Sequence, residues 1–278
     1  MSNKTISQLL KQYGLKPQKG LGQNFLTDPA SLRKIISAAG IQPEDTILEI
    51  GPGLGSLTAL LADAAARVVA VELDRRMVRA LEEILAPYDN VELIQGDILE
   101  VNLNDLVSQP GYLVVANIPY YLTSALIRQL LEADNAPQRL VLTVQKEVAE
   151  RICAGPGDLS LLALGVQVYG DPQITDHIPA GAFYPTPKVD SAVVRVDLYP
   201  QPRIARDRLE DFFALTKAGF SQKRKTLQNA ISAGMRWEKS FTGELISKAE
   251  IDPKRRAQTL SLEEWGKLVD ALEASRRS

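Results

Sequence analysis

Four short stretches between residues 46 and 117 share one pattern: an apolar, β-branched run that stops on a glycine, a carboxylate or an amide. They are Thr46-Ile47-Leu48-Glu49-Ile50 before Gly51, Arg67-Val68-Val69-Ala70-Val71-Glu72, Val91-Glu92-Leu93-Ile94-Gln95-Gly96-Asp97, and Leu113-Val114-Val115-Ala116 before Asn117. Runs of this kind predict strands buried on both faces. The stops recur at roughly 20 residues or a little more, the length of one strand–helix repeat. Helical patterns fill the gaps, through Leu60 and Leu61 and over Met77–Leu85. A fifth strand, Leu140–Val144, leads into a helix over Lys146–Cys153. Strands alternating with helices predict an α/β fold with a parallel sheet covered on both sides. Parallel strands bring all four stops to one edge of that sheet, so they form a single crevice.

At the fourth stop the chain reads Asn117-Ile118-Pro119-Tyr120. Proline has no N–H for a sheet ladder, so the strand ends here, and Thr123 or Ser124 can cap the helix that follows. The plain reading is a turn with Tyr120 as ordinary core. The chemical reading is methylation of an exocyclic amine. The lone pair of an adenine N6 is delocalised into the ring, which makes the nitrogen a poor nucleophile. The Asn117 amide oxygen and the Ile118 carbonyl could each accept one N6 hydrogen, turn the lone pair toward an electrophile and stabilise the charge developing on nitrogen. Pro119 would stiffen the loop, and the Tyr120 ring would offer a face for the base to stack on.

The other stops suit an adenosine. Glycines let the backbone pass close to a ligand. Glu72 lies about 20 residues beyond Gly51, the spacing at which a carboxylate receives ribose hydroxyls. Asp97 can accept from an adenine amino group, with the Ile98 N–H beside it. A nicotinamide dinucleotide and S-adenosylmethionine both contain this nucleoside. Three features favour S-adenosylmethionine. In Gly51-Pro52-Gly53-Leu54-Gly55 the third glycine comes one residue too early for the dinucleotide fingerprint. Asp97 and Asn117-Ile118-Pro119-Tyr120 have no task in hydride transfer. A carboxylate-rich crevice also suits a sulfonium cation better than a pyrophosphate.

Composition removes other classes. Of the 278 residues 45% are hydrophobic and 24% charged, an ordinary globular balance with no apolar run of membrane-spanning length. One cysteine, Cys153, and one histidine, His177, argue against a disulfide, a metal site or a serine-type triad. No secretion signal is visible at Met1–Thr5, so the cytoplasm is the expected compartment. Near the N-terminus, Thr5–Tyr13 predicts a short helix closed by Gly14, and Asp28-Pro29 opens another that ends at Gly40. The basic, glycine-containing loop between them (16–26) reads from composition as a solvated segment. Ser160–Tyr169 leans to helix; Gln173–Ile178 and Ala192–Leu198 read as two last strands, with Phe183–Asp190 looping between them. After Pro200 and Pro202 only helical patterns remain, ending in a capping box at Ser261-x-x-Glu264. This part carries Lys217, Lys223, Arg224, Lys225, Arg255 and Arg256, either a solvated charged face or, at the dense Lys223-Arg224-Lys225 triplet, an RNA backbone contact.

Several segments together resemble the ribosomal RNA adenine dimethyltransferases, in particular their small-subunit branch. They are Gln23-Asn24-Phe25-Leu26, Glu49–Gly55, Glu72, Gly96-Asp97, Asn117–Tyr120, Phe183–Ser191 and Phe220–Leu227, which span nearly the whole chain. The resemblance implies a Rossmann-like S-adenosylmethionine-dependent methyltransferase sheet at 1–200 with an N-terminal lid, and a small all-helical RNA-binding domain at 201–278. It implies an enzyme that makes N6,N6-dimethyladenosine at two adjacent adenines in a hairpin near the 3′ end of small-subunit (16S-type) rRNA. The partner is that rRNA or a partly assembled small subunit, and no membrane, no metal and a monomer are expected. It further implies that Asn24 and Leu26 close over the cofactor, and that Phe183, which its apolar ring otherwise marks as core, stacks on the target adenine opposite Tyr120. Two alternatives stand beside it: a large-subunit rRNA adenine methylase of the macrolide-resistance type, and a ribosome-assembly factor without catalysis.

Overall fold

A computed structural model describes residues 5–119 and 122–277. Its elements run α1 (Ile6–Gln12), β1 (Phe25–Leu26), α2 (Pro29–Ala39), β2 (Thr46–Ile50), α3 (Ser56–Ala64), β3 (Arg67–Glu72), α4 (Arg75–Leu85), β4 (Val91–Gln95), α5 (Leu103–Leu106), β5 (Leu113–Asn117), α6 (Thr123–Glu132), β6 (Arg139–Gln145), α7 (Lys146–Ile152), α8 (Leu161–Gln167), β7 (Gly170–Ile178), β8 (Phe183–Tyr184) and β9 (Ser191–Leu198). The helices α9 (Leu209–Phe220), α10 (Leu227–Met235), α11 (Lys239–Lys248) and α12 (Leu262–Arg277) follow.

Seven strands form one sheet in the order β4-β3-β2-β5-β6-β9-β7. The pairs β2–β3, β3–β4, β2–β5 and β5–β6 are parallel, whereas β9 runs antiparallel to β6. Chain order reverses between β2 and β5, which makes the carboxyl ends of these two strands the topological switch point. The inner strands β2, β3, β5 and β6 are largely apolar because helices cover them, whereas the edge strands β4 and β7 keep exposed polar positions. Ile47, Val68, Leu113, Val115, Val141 and Val193 join Leu32, Ile35, Leu57 and Leu61 in one buried cluster. The helix starts follow local chemistry. Thr5 and Gln8 form a reciprocal capping box on α1, and Asp28 accepts from the Ser31 N–H to cap α2, with Pro29 in its first turn. At the other end of α2, Gly40 takes the left-handed conformation, and Arg139 donates to the Ala39 carbonyl at 2.7 Å.

The chain folds into two compact units, Met1–Ala149 with Pro172–Leu198, and Glu150–Asp171 with Tyr199–Ser278. This corrects a simple cut at residue 200. The segment 150–171 sits with the C-terminal helices because its polar and aromatic partners lie there. The Gly157 N–H donates to the Gln258 carbonyl at 2.9 Å, the Arg203 N–H donates to the Val168 carbonyl at 2.8 Å, and Tyr169 stacks with Phe213 at 6.5 Å. Within the helical unit, Trp265 is fully buried and stacks on Phe220 at 6.1 Å.

Two further expectations are corrected. Neither Thr123 nor Ser124 caps α6: Thr123 is its first residue, buried, and Leu122 occupies the cap position without a side-chain bond. The stretches 16–26 and 183–190 are not purely loop, because β1 and β8 pair antiparallel, Phe25 with Tyr184 and Leu26 with Phe183. Thr27 extends the lock, its N–H and hydroxyl both donating to the Ala182 carbonyl at 2.8 and 2.9 Å.

Candidate active site

Strand register puts the polar stops level with one another. Ile50 is paired with Val71 on one side and with Ala116 on the other, so Gly51, Glu72 and Asn117 are the next residues of three adjacent strands. Glu72 is in turn paired with Gln95, which sets Gly96 and Asp97 just beyond it. The crevice at this edge is lined by Asn24, Leu26, Gly51, Gly53, Glu72, Asp97, Asn117, Ile118 and Pro119. Every residue expected to hold the cofactor therefore lies on one cavity, together with three of the five expected to act on the base. Tyr120 lies outside the described residues.

Phe183 requires a correction. It does not line the crevice; its side chain is 3% exposed and belongs to the apolar cluster beneath the sheet, with Leu26, Ile35 and Ile178. In the β1–β8 ribbon alternate residues face opposite ways, so Phe183 points inward and Tyr184, 43% exposed, points outward. In this conformation Phe183 supports Leu26 and presents no face to a base.

The crevice carries three carboxylates. Glu72 is fixed by backbone donors, the Gly53 N–H to Oε2 at 3.2 Å and the Asp74 N–H to Oε1 at 2.8 Å. Burial pushes its pKa up, and these donors pull against that. Asp97 accepts from the Leu99 N–H at 3.0 Å. Glu49, which the sequence alone leaves without a role in the site, is 1% exposed, and its Oε2 has no partner among the described residues. Burial is the main cause that pushes its carboxyl up to about 8; the Thr58 hydroxyl lowers it and the Glu72 charge raises it. The sequence signal is a charged residue in a strand buried on both faces. An unpartnered buried acceptor beside two more carboxylates and a glycine-lined wall fits a cationic adenosine ligand such as S-adenosylmethionine.

A Glu49 pKa near 8 in the fold, against its ordinary 4.5, means that the folded state holds a proton the unfolded chain has released. Its contribution to stability is therefore neutral below about pH 4.5 and falls steadily until about pH 8. Glu49→Gln is expected to remove this decline. At pH 8 the ligand-free variant should be more stable than the parent by several kcal/mol, at roughly 1.4 kcal/mol per pKa unit. Urea titrations of both proteins at pH 5 and pH 8 check this; a parallel pH dependence would refute it.

Gly53 shows what its glycine is for. Its φ is +64°, and a Cβ there would lie 2.9 Å from the Phe25 ring. Gly53→Ala is expected to cost about 1–3 kcal/mol of stability through backbone strain and to displace Phe25, and with it the segment that covers the crevice. Cofactor affinity should fall tenfold or more in a calorimetric titration, and unaltered affinity would show that the close approach is dispensable.

Asn117 is held from outside the sheet: its Nδ2 donates to the Asn24 carbonyl at 3.1 Å. In the helical unit, Lys223, Arg224 and Lys225 lie between α9 and α10, are exposed, and have no carboxylate partner among the described residues. Arg255, expected to belong to the same basic surface, is instead bound to Glu264, whose Oε2 also accepts from the Ser261 N–H at 2.8 Å in the capping box of α12. Among the described residues, no cluster of three potential metal ligands occurs and no helix is long and apolar enough to cross a membrane.

Comparison with known proteins places this site in a wider set. The model of the family described as Ribosomal RNA adenine dimethylase matches residues 14–272. Ribosomal RNA small subunit methyltransferase A of Dehalococcoides mccartyi (strain CBDB1) is 48% identical over 94% of this chain and 90% of its own length. The protein of that name from Alkaliphilus oremlandii is 41% identical over 98% and 97%. Among solved structures, a dimethyladenosine transferase from Plasmodium falciparum superposes with a TM-score of 0.78 at 27% identity, covering 91% of this chain and 98% of that one. The 23S rRNA methyltransferase ErmE superposes with a TM-score of 0.73 at 26% identity, covering 90% and 100%.

Proposed function

The chain belongs to the ribosomal RNA adenine dimethylase family, and from that premise we propose that it transfers methyl groups from S-adenosylmethionine to N6 of two adjacent adenines in a hairpin near the 3′ end of small-subunit rRNA. The observation that carries the reading is the register that sets Gly51, Glu72 and Asn117 side by side at the switch point. It puts an amide suited to an amine at the edge that suits an adenosine. Relatives at 41–48% identity that bear the small-subunit name favour this substrate over the large-subunit one, for which the similarity is 26%.

When bound, the cofactor supplies an electrophilic methyl group on a sulfonium. Glu72, already oriented by two backbone N–H donors, accepts from the ribose hydroxyls. Asp97 receives the adenine amino group, Gly51 and Gly53 allow close approach, and Asn24 and Leu26 cover the ligand from the N-terminal side. Asn117 Oδ1 and the Ile118 carbonyl accept the N6 hydrogens of the target, and Pro119 stiffens the turn. Each contact strengthens as positive charge develops on N6. The methylated nitrogen is then acidic enough to release its proton to water, so no general base is needed. After the first transfer one hydrogen remains, one of the two acceptors holds it, and the product is dimethyladenosine.

In this reading the protein acts as a cytoplasmic monomer, and the helical unit binds rRNA or a partly assembled subunit through Lys223, Arg224 and Lys225. The test is incubation with labelled S-adenosylmethionine and undermodified small subunits or free rRNA, followed by mass spectrometry of the digested RNA. Dimethyladenosine at two neighbouring positions is expected. Label confined to large-subunit rRNA, or monomethyladenosine alone at long times with excess cofactor, would overturn the proposal.

A further inference from the structure

The segment 18–26 is tied to both sides of the crevice by two consecutive residues. On one side, Gln23 Nε2 donates to Asp74 Oδ2 at 3.2 Å. On the other, the carbonyl of Asn24 accepts from Asn117 Nδ2 at 3.1 Å. The segment between these ties is internally braced. The Gln18 N–H donates to Gln23 Oε1 at 2.8 Å, the Gln23 N–H donates back to the Gln18 carbonyl at 3.3 Å, and Asn24 Nδ2 donates to the Gly22 carbonyl at 3.1 Å. With one residue step between the two ties, moving Gln23 moves the Asn24 carbonyl.

Asp74 is a firm anchor. It is buried, it caps α4 by accepting from the Arg76 N–H at 3.0 Å, and the Arg76 guanidinium grips both its oxygens at 3.0 and 2.6 Å. That guanidinium is the main reason its carboxyl is held below the usual range. Asp74 does not line the crevice, whereas Gln23 and Asn24 do.

We propose that the Gln23–Asp74 clasp is a positioning device for the catalytic amide; this rests on the reading that Asn117 accepts an N6 hydrogen. A side-chain amide has two ends of nearly equal size and opposite polarity. If Asn117 were turned over, its Nδ2 hydrogens would face the hydrogens of the target amine, and attack would be opposed. The Asn24 carbonyl can receive only the donor end. The clasp holds that carbonyl in place, so Oδ1 is the end left to accept from the substrate. A backbone carbonyl cannot be removed by changing its own side chain, so Gln23 and Asp74 are the handles by which its position is set.

The test is a double-mutant cycle with kcat and cofactor affinity measured separately. Gln23→Glu sets a carboxylate against Asp74. Asp74→Asn sets an amide that can turn its donor toward the Gln23 donor, and keeps an oxygen to cap α4. Each single change is expected to lower kcat tenfold or more, because small displacements of catalytic groups are costly. Affinity for S-adenosylhomocysteine should fall by clearly less than kcat does, since Gln23 also lines the crevice while Glu72 and Asp97 stay in place. Combining Gln23→Glu with Asp74→Asn re-forms the pair with donor and acceptor exchanged and should recover most of kcat. Adding Asp74→Asn to Asn117→Ala should cost nothing further. Wild-type kcat in both single variants, or a loss confined to cofactor affinity, overturns the proposal while leaving the role of Asn117 intact. Near-normal turnover in Asn117→Ala overturns both, so the two failures are distinguishable.

Discussion

Turnover of the Asn117→Ala variant is expected to fall by about a hundredfold or more, the loss measured when one preorganised polar contact to a developing charge is removed. The residue has no large structural duty. It is the last residue of β5 and half-buried, and the packing of that strand is carried by Leu113, Val114, Val115 and Ala116. Thermal unfolding should therefore be close to that of the parent, apart from the one bond to the Asn24 carbonyl. Cofactor affinity should weaken modestly, since Asn117 lines the same crevice as Glu72 and Asp97. The effect should appear in single-turnover rates with RNA and cofactor both saturating, which separates chemistry from binding. Near-normal single-turnover rates would mean that N6 is activated by the Ile118 carbonyl alone, or by groups outside the crevice.

What can be read from the sequence, and what cannot, divides by distance along the chain. Strands β2, β3 and β5 are legible because burial on both faces leaves a mainly apolar, β-branched run, and their stops reveal the ligand edge because register in a parallel sheet is nearly level. The ribbon of β1 and β8 is not legible. Two residues carry no periodicity, and Leu26 meets Phe183 across a gap no local pattern reports. For the same reason the motif around Phe183 suggests a base-stacking ring, whereas the apolar character of the residue itself points to the core position it occupies. Glu49 is visible as an anomaly without a meaning: a carboxylate in a buried strand becomes a site residue only when its neighbours Glu72 and Thr58 are known. The Gln23–Asp74 pair spans 51 residues and joins two polar side chains that nothing in the sequence connects. Position along the chain puts 150–171 with the sheet, yet its backbone hydrogen bonds at Gly157 and Val168 lead to the C-terminal unit.

Replacing Lys223, Arg224 and Lys225 together with alanine is expected to weaken RNA binding and to flatten its salt dependence. Three exposed cations in the turn between α9 and α10, free of carboxylate partners among the described residues, have nothing within the fold to neutralise them. Other arginines of the helical unit are engaged: Arg208 with Asp270, Arg276 with Asp211, and Arg255 with Glu264. Among the described residues the triplet is therefore the densest run of unpaired cations in that set, alongside the single exposed residues Lys217 and Arg256. Each phosphate contact releases condensed counterions, and losing one lowers the slope of log affinity against log salt by roughly 0.7–0.9. With all three engaged, the variant's slope should be smaller by about two units, and the affinity gap between parent and variant should narrow as salt rises. S-adenosylmethionine affinity should not change, because no residue of the triplet lines the crevice. A solvated face that touches no RNA predicts an unchanged slope and an unchanged affinity. A third outcome, lower thermal stability with an unchanged slope, would assign the triplet to the fold. Titrations of parent and triple variant with substrate RNA at several salt concentrations, alongside their melting curves, separate the three.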